Sequence, residues 1–234
     1  MSNLVARPNL WKIPTWEQRL IHYLAVFERA LVLVMQEEEP PILEKELNRL
    51  LDLKLVDACV ELDKRQRFSH PTPETKNPSD PEFRETQTYE EKRPDFQWTH
   101  IDQSIPDAPV KRSFTIECKR LGKGQNFNKK YVTRGVIRFR HPGWRYGKDL
   151  SEGLMIGYIQ SGEHNGIRAK IDETLRSEDI DELTCNDSEW KKAGVSRLEH
   201  RFTREFPVSP FRLIHFWLDL RGRMEHAGAS GPGG

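Results

Sequence analysis

The first third of the chain repeats apolar residues at helical spacing. Leu20, Leu24, Phe27, Leu31 and Val34 fall on one stripe, so Trp16 to Gln36 is predicted as a helix with Thr15 as its N-cap. Pro40 and Pro41 interrupt it. A second helix is predicted from Ile42 to Leu62. Leu43, Leu47, Leu50, Leu51, Ala58 and Leu62 form one stripe there, while Leu53, Val56 and Val60 form another, which predicts packing on two sides. From Arg67 to Arg93 the prolines Pro71, Pro73, Pro78 and Pro81 stand among polar residues, the pattern of a long loop or lid with one weak strand near Phe83 to Tyr89. The period then changes from helical to two. Asp95 to Thr99 and Ser113 to Lys119 alternate polar and apolar, so two strands are predicted as antiparallel neighbours, with a turn region at Pro106 and Pro109. Phe127 to Phe139 and Ile167 to Arg176 are predicted as helices, Gly153 to Gln160 as a buried strand, and Leu198 to Phe206 with Phe211 to Leu220 as a closing strand pair. The tail from His226 is expected to be disordered.

The mixture of elements predicts an α/β protein, a central sheet flanked by helices with an N-terminal helical portion. At 234 residues, one or two domains are expected. No apolar run reaches the roughly 20 residues that span a bilayer. The richest, Leu20 to Met35, contains His22, Glu28 and Arg29, so no membrane association is expected. The N-terminus lacks the apolar block of a secretory signal, and three cysteines, Cys59, Cys118 and Cys185, support neither a disulfide framework nor a Cys-rich zinc site. A cytoplasmic location is the expectation.

Alternation assigns faces. Phe114, Ile116 and Cys118 point to the core, and Ser113, Thr115, Glu117 and Lys119 share the opposite face. On the preceding strand Phe96 and Trp98 point inward, which leaves Asp95, Gln97 and Thr99 on the polar side and Asp95 available to meet Glu117. Asp102 has the inward parity and is the weaker acid. Two carboxylates converging from adjacent strands suit Mg²⁺ or Mn²⁺, which commonly completes its shell with water and substrate phosphate. Lys119 would orient a water or assist its deprotonation and stabilise negative charge, so the chemistry implied is phosphodiester hydrolysis. The plainer reading is a solvated strand face with a Glu beside a Lys.

Pro94-Asp95, then Glu117-Cys118-Lys119 after the apolar lead-in Phe114 to Ile116, resembles the signature of the PD-(D/E)XK nuclease superfamily, the restriction-endonuclease-like fold. That core orders a helix, strands carrying the acid and the acid-x-Lys, a crossover helix and a further strand, which is similar to the order from Ile42 to Gln160. The resemblance implies that Asp95 and Glu117 bind metal, that the Cys118 backbone carbonyl adds a ligand and that Lys119 is catalytic. It also implies an acid from the first core helix, for which Glu44 is the candidate with Glu46 second, and a polar or basic residue on the crossover helix, with Arg134 the nearest analogue. The chain then divides into an N-terminal helical segment (1–40), a nuclease-like domain (41–225) and a tail (226–234). Bacterial restriction or anti-phage defence is the setting such relatives suggest.

Charge adds a second signal. The whole chain balances 37 Lys and Arg against 36 Asp and Glu. Between Lys111 and Lys148, however, 12 basic residues face the single acid Glu117. Lys123, Lys129, Lys130, Arg134, Arg138, Arg140 and Arg145 are the candidate nucleic-acid contacts. Lys130, Arg134 and Arg138 would form one helical stripe, and Trp144 and Tyr146 could stack on bases. DNA is the expected partner, with RNA left open, and the N-terminal helices could dock a partner protein or a second copy. The bland alternative is a solvated basic face or an intramolecular partner for the acidic stretch Asp172 to Glu189. The glycines Gly122 and Gly124 read as a turn, and the histidines His100, His141, His164 and His200 lack metal-ligand spacing. The leading expectation is a metal-dependent DNA endonuclease. The second is a catalytically silent nucleic-acid-binding or assembly subunit on the same fold, and a remote third is an enzyme acting on a small phosphorylated molecule.

Overall fold

The computed structural model describes residues 14–65, 68–76, 92–102, 110–124, 126–185, 189–191, 194–206 and 208–223. The expected strand at Phe83 to Tyr89, the turn at Pro106 and Pro109, and the tail from His226 lie outside these residues. Helices α1 (Trp16–Met35) and α2 (Glu44–Leu62) come first, followed by a two-residue strand β1 (Thr72–Pro73) and the hairpin β2 (Phe96–Asp102) and β3 (Val110–Leu121). The crossover is built from α3 (Phe127–Tyr131), a π-helical turn (Val132–Val136) and α4 (Ile137–Arg140). After it come β4 (Glu152–Ile159), α5 (His164–Ser177), β5 (Thr184–Cys185), β6 (Val195–Phe202) and β7 (Phe211–Asp219).

Among the described residues seven strands form one mixed sheet in the order β1-β2-β3-β4-β7-β6-β5. The centre, β3-β4-β7, is parallel; β2 pairs antiparallel with β3 and β6 with β7. Parallel strands are covered on both faces, and this sheet obeys that rule. Phe114, Ile116, Cys118, Leu154, Ile156, Tyr158, Ile214 and Phe216 pack under α1 and α2. Leu121, Met155, Ile159, Leu213 and Trp217 pack under the crossover and α5.

The local chemistry of α1 sets where it begins. Thr15 Oγ1 accepts from the Gln18 N–H and the Gln18 side chain accepts from the Thr15 N–H, a reciprocal cap of two otherwise orphaned donors. Tyr23 then lies flat on Trp98 with centroids 4.0 Å apart, tying the helix to β2. On α2, Leu47, Leu51, Leu55, Ala58 and Cys59 are buried. The expectation of two packed sides does not hold: Leu53, Val56 and Val60 are exposed by 60%, 53% and 66%, because α2 has the sheet and α1 on one side and nothing among the described residues on the other.

The polar face expected on β3 is also corrected. Ser113, Thr115 and Glu117 are buried, since the crossover segment lies across that face. Gly135 permits the close approach: a Cβ there would stand 2.5 Å from the Met155 methyl and 3.6 Å from Lys119 Cγ. The π-helical turn around Gly135 takes up extra residues per turn and rotates the side chains of α4 relative to those of α3. Lys130, Arg134 and Arg138 therefore do not form the single stripe expected of them. Arg134 is exposed to solvent, whereas Arg138 turns inward to Glu117.

Candidate functional site

Strand β3 outruns its neighbour. Pairing with β2 begins at Phe96 opposite Ile116, so among the described residues the last residues of β3 have no strand on that side. Their amide groups still need acceptors. Side-chain carboxylates supply them: Asp95 Oδ2 accepts from the Cys118 N–H at 2.7 Å, and Glu44 Oε2 accepts from the Arg120 N–H at 3.1 Å. Asp95 reaches this edge because it immediately precedes β2, and Glu44 because it opens α2.

The same two acids meet Glu117 around one ammonium group. Lys119 Nζ lies 2.8 Å from Glu117 Oε1, 3.0 Å from Glu44 Oε1 and 3.7 Å from Asp95 Oδ2, and it donates to the Cys118 carbonyl at 2.6 Å. All four oxygen donors singled out in the sequence therefore surround a single point. Side-chain exposure rises from 0% at Glu117 through 12% at Lys119 and 21% at Asp95 to 32% at Glu44. The site is a cleft with Glu117 at its floor and Glu44 at its rim. The Arg138 guanidinium, from the crossover, closes a second ion pair on Glu117 Oε1.

Electrostatics follow from this crowding. Burial, reinforced by repulsion from Asp95, pushes the Glu117 carboxyl up to about 8, with Lys119 and Arg138 pulling the other way. Asp95 is also raised, by burial first, against the attraction of Lys119 and the Cys118 amide. For Lys119 burial opposes the charge, but Glu117, Asp95 and Glu44 outweigh it and hold the ammonium above its ordinary value. Three acids share two cations here, and a further positive charge beside Glu117 and Asp95 would favour their ionised forms.

Carboxylates and a backbone carbonyl are the oxygen groups that hard cations take as ligands. Among the described residues Glu117 Oε2 is buried with no hydrogen-bond partner, an orphaned carboxyl oxygen on the floor of an oxygen-lined cleft. Among the described residues, no three His, Cys, Asp or Glu side chains stand as a ready-made metal cluster. Mg²⁺ seldom uses one: one or two carboxylates with waters and substrate phosphates are its usual shell. The residues present fit such an ion.

The basic residues are scattered more widely than their spacing suggests. Lys123, Lys129 and Arg134 are exposed and Lys130 is half-buried. Arg140 is turned to the acidic stretch, donating to the Glu178 carbonyl with Asp179 at 4.0 Å, so it follows the bland alternative. Arg145 and Tyr146 are buried, which corrects their assignment to a nucleic-acid surface. The segment that carries them is drawn inward by Arg204, whose guanidinium donates to the carbonyls of Phe139, Tyr146, Gly147, Leu150 and Val208. Trp144 stays half-buried beside the cleft, with Arg138 4.3 Å and Lys92 4.7 Å from its ring centroid. Asp102 pairs with Arg112 at the far end of β2 and takes no part. A cavity of about 590 Å³ bounded by Trp16, Arg19, His100 and Arg112 lies at that far end and contains none of the converging acids.

Three participants are not evident from sequence patterns. Arg138 stands out there only as one member of a cationic stripe, because the π-helical turn that aims it has no spacing signature. Asn48 donates to Asp95 Oδ1 at 3.0 Å, and Tyr158 donates to Asn48 Oδ1 at 3.0 Å. Asn48 lies one turn after Glu44, a spacing that places both on one helix face and is the signal that could have found it.

Comparison of the chain with models of known families, with curated proteins and with solved structures returns no significant match.

Proposed function

We propose that the chain is a metal-dependent nuclease of the PD-(D/E)XK type, hydrolysing phosphodiester bonds in DNA. The observation that carries this reading is the convergence of Glu44, Asp95, Glu117 and the Cys118 carbonyl on Lys119 Nζ. The element order from α2 through β4, with β3 and β4 parallel and the crossover between them, is in keeping with a restriction-endonuclease-like core.

Asp95, Glu117 and the Cys118 carbonyl would hold Mg²⁺ or Mn²⁺, with Glu44 at the rim. When bound, such an ion polarises the scissile phosphate and lowers the pKa of a bound water. Lys119 orients the attacking water by hydrogen bonding and stabilises negative charge building on the phosphate. Arg138 holds Glu117 in place and adds positive charge to the cleft. Lys123, Lys129, Lys130 and Arg134, near the site in sequence and largely exposed, grip the backbone of the polyanion, whose charge density makes that grip independent of sequence. The same phosphate chemistry would serve RNA. Trp144, whose ring is already covered by Arg138 and Lys92, would have to exchange one of them for a base to stack there.

A second reading draws on the same ion cluster. Lys119 and Arg138 already neutralise much of the buried Glu117 charge, as they would in a nucleic-acid-binding or assembly subunit that never takes up metal. One experiment separates them. Cleavage of plasmid and linear DNA is measured with Mg²⁺ and with chelator, for wild type, Glu117→Ala and Lys119→Ala. The nuclease reading expects cleavage with Mg²⁺ only, lost in both variants. DNA binding without any cleavage, insensitive to chelator, supports the silent subunit.

A further inference from the structure

We infer that Asn48, fixed in orientation by Tyr158, is the positioning residue that holds Asp95 in its site rotamer; this rests on the metal-dependent reading of the cleft. Asp95 stands just ahead of β2, where among the described residues no strand ladder constrains it beyond a bond from the Glu74 N–H to its own carbonyl at 3.0 Å. Its carboxylate is instead held from two directions. Oδ2 accepts from the Cys118 N–H and faces Lys119, while Oδ1 accepts from Asn48 Nδ2. An amide side chain could present either end to a carboxylate, and only the NH₂ end attracts it. Tyr158 decides which end. It is fully buried on β4, burial keeps its phenol protonated, and its hydroxyl donates to Asn48 Oδ1. With the carbonyl end taken, the NH₂ end is left for Asp95.

The relay crosses the sheet. Tyr158 belongs to the apolar layer under α1 and α2, whereas Glu117 projects toward the crossover. Asp95, at the edge between them, is anchored from one layer and acts in the other. Partners that orient ligating groups in this way typically change metal affinity by roughly 10 to 100-fold when removed.

Three proteins test the inference: wild type, Asn48→Leu and Tyr158→Phe. Mn²⁺ affinity is read from the free-ion signal in electron paramagnetic resonance, and hydrogen exchange at the Cys118 amide is read in chelator, where no metal contributes. DNA affinity in chelator serves as a control for the basic surface. Asn48→Leu should weaken Mn²⁺ binding roughly 10 to 100-fold, Tyr158→Phe by less, with faster Cys118 exchange in both and unchanged DNA affinity. In cleavage assays kcat should fall at constant KM. Tyr158→Phe keeps the ring in the core and carries the test if Asn48→Leu does not fold. Wild-type Mn²⁺ affinity retained in folded variants overturns the inference alone. Wild-type protein that binds no Mn²⁺ overturns the reading of the cleft, and the inference with it.

Discussion

Lys119→Met removes the one cation shared by three acids and keeps the aliphatic stem. Glu117, Glu44 and Asp95, which stand within 3.7 Å of Lys119 Nζ, lose that ammonium, and among the described residues Glu117 keeps Arg138 as its close counter-charge. Breaking a buried ion pair by deleting one partner costs about 3 to 5 kcal/mol, because the remaining charge is stranded out of water. For a domain of this size each kcal/mol moves Tm by roughly 2 to 4 °C, so a loss on the order of 10 °C is expected in chelator. A divalent ion should reverse it. Mn²⁺ at about 1,000 times its Kd returns roughly 4 kcal/mol to the folded state, and the acids freed from Lys119 should bind it at least as well as in wild type. The assay is thermal unfolding with chelator and across a Mn²⁺ titration, for wild type, Lys119→Met and the surface control Lys64→Met. Stability rescued by Mn²⁺ without rescue of DNA cleavage would separate metal holding from the chemical role of Lys119. A Lys119→Met protein whose Tm matches wild type, or ignores Mn²⁺, refutes the convergence of the three carboxylates.

Replacing Lys123, Lys129 and Arg134 together by Ala should flatten the slope of log K for duplex DNA against log salt by about 0.9 for each lost phosphate contact, as read by fluorescence anisotropy. The buried pair His200 and His215 should make the fold acid-sensitive. Burial pushes His200 down to about 4 and His215 further, so the unfolded chain takes up protons first as pH falls below about 6.5, and each histidine removes about 1.4 kcal/mol per pH unit. Urea unfolding between pH 7 and 5 should show that loss, with a shallower slope in His200→Phe. Arg204→Met should lower stability by about 3 to 5 kcal/mol in denaturant titrations and Arg204→Lys should not restore it, since one ammonium cannot serve five carbonyls.

Period-two alternation makes the site partly legible in the sequence. Placing Phe114, Ile116 and Cys118 inward puts Glu117 and Lys119 together on the other face, and the antiparallel register, with Phe96 opposite Ile116, brings Asp95 to the level of Glu117. Strand periodicity is local and survives translation into three dimensions. What covers a face is not local. Thr115 and Glu117 read as solvent-facing because they are polar, yet the crossover buries them. Leu53, Val56 and Val60 read as packed because they are apolar, yet nothing among the described residues covers them. The helical character of 127–140 is visible in the sequence, but the extra residues of its π-helical turn are not, and Arg138 rather than Arg134 reaches the acid as a result. Arg145 departs from its expected place for a similar reason: its positive φ of 51° and the pull of Arg204 on its neighbours' carbonyls draw the segment inward. Asn48 and Tyr158 lie 47 and 63 residues from Asp95, and no short-range pattern joins them to it.

The bare edge of β3 has a protective side as well. An unpaired run of amides is an invitation to a stray strand from another molecule, the first step toward sheet-to-sheet aggregation. Glu44 and Asp95 occupy those amides with groups that carry negative charge and no backbone to extend, so an incoming chain would have to displace both and then endure their repulsion. Tidying this cleft by neutral substitutions, however conservative in shape, would leave the sheet with an adhesive margin, and loss of solubility would accompany loss of the acids.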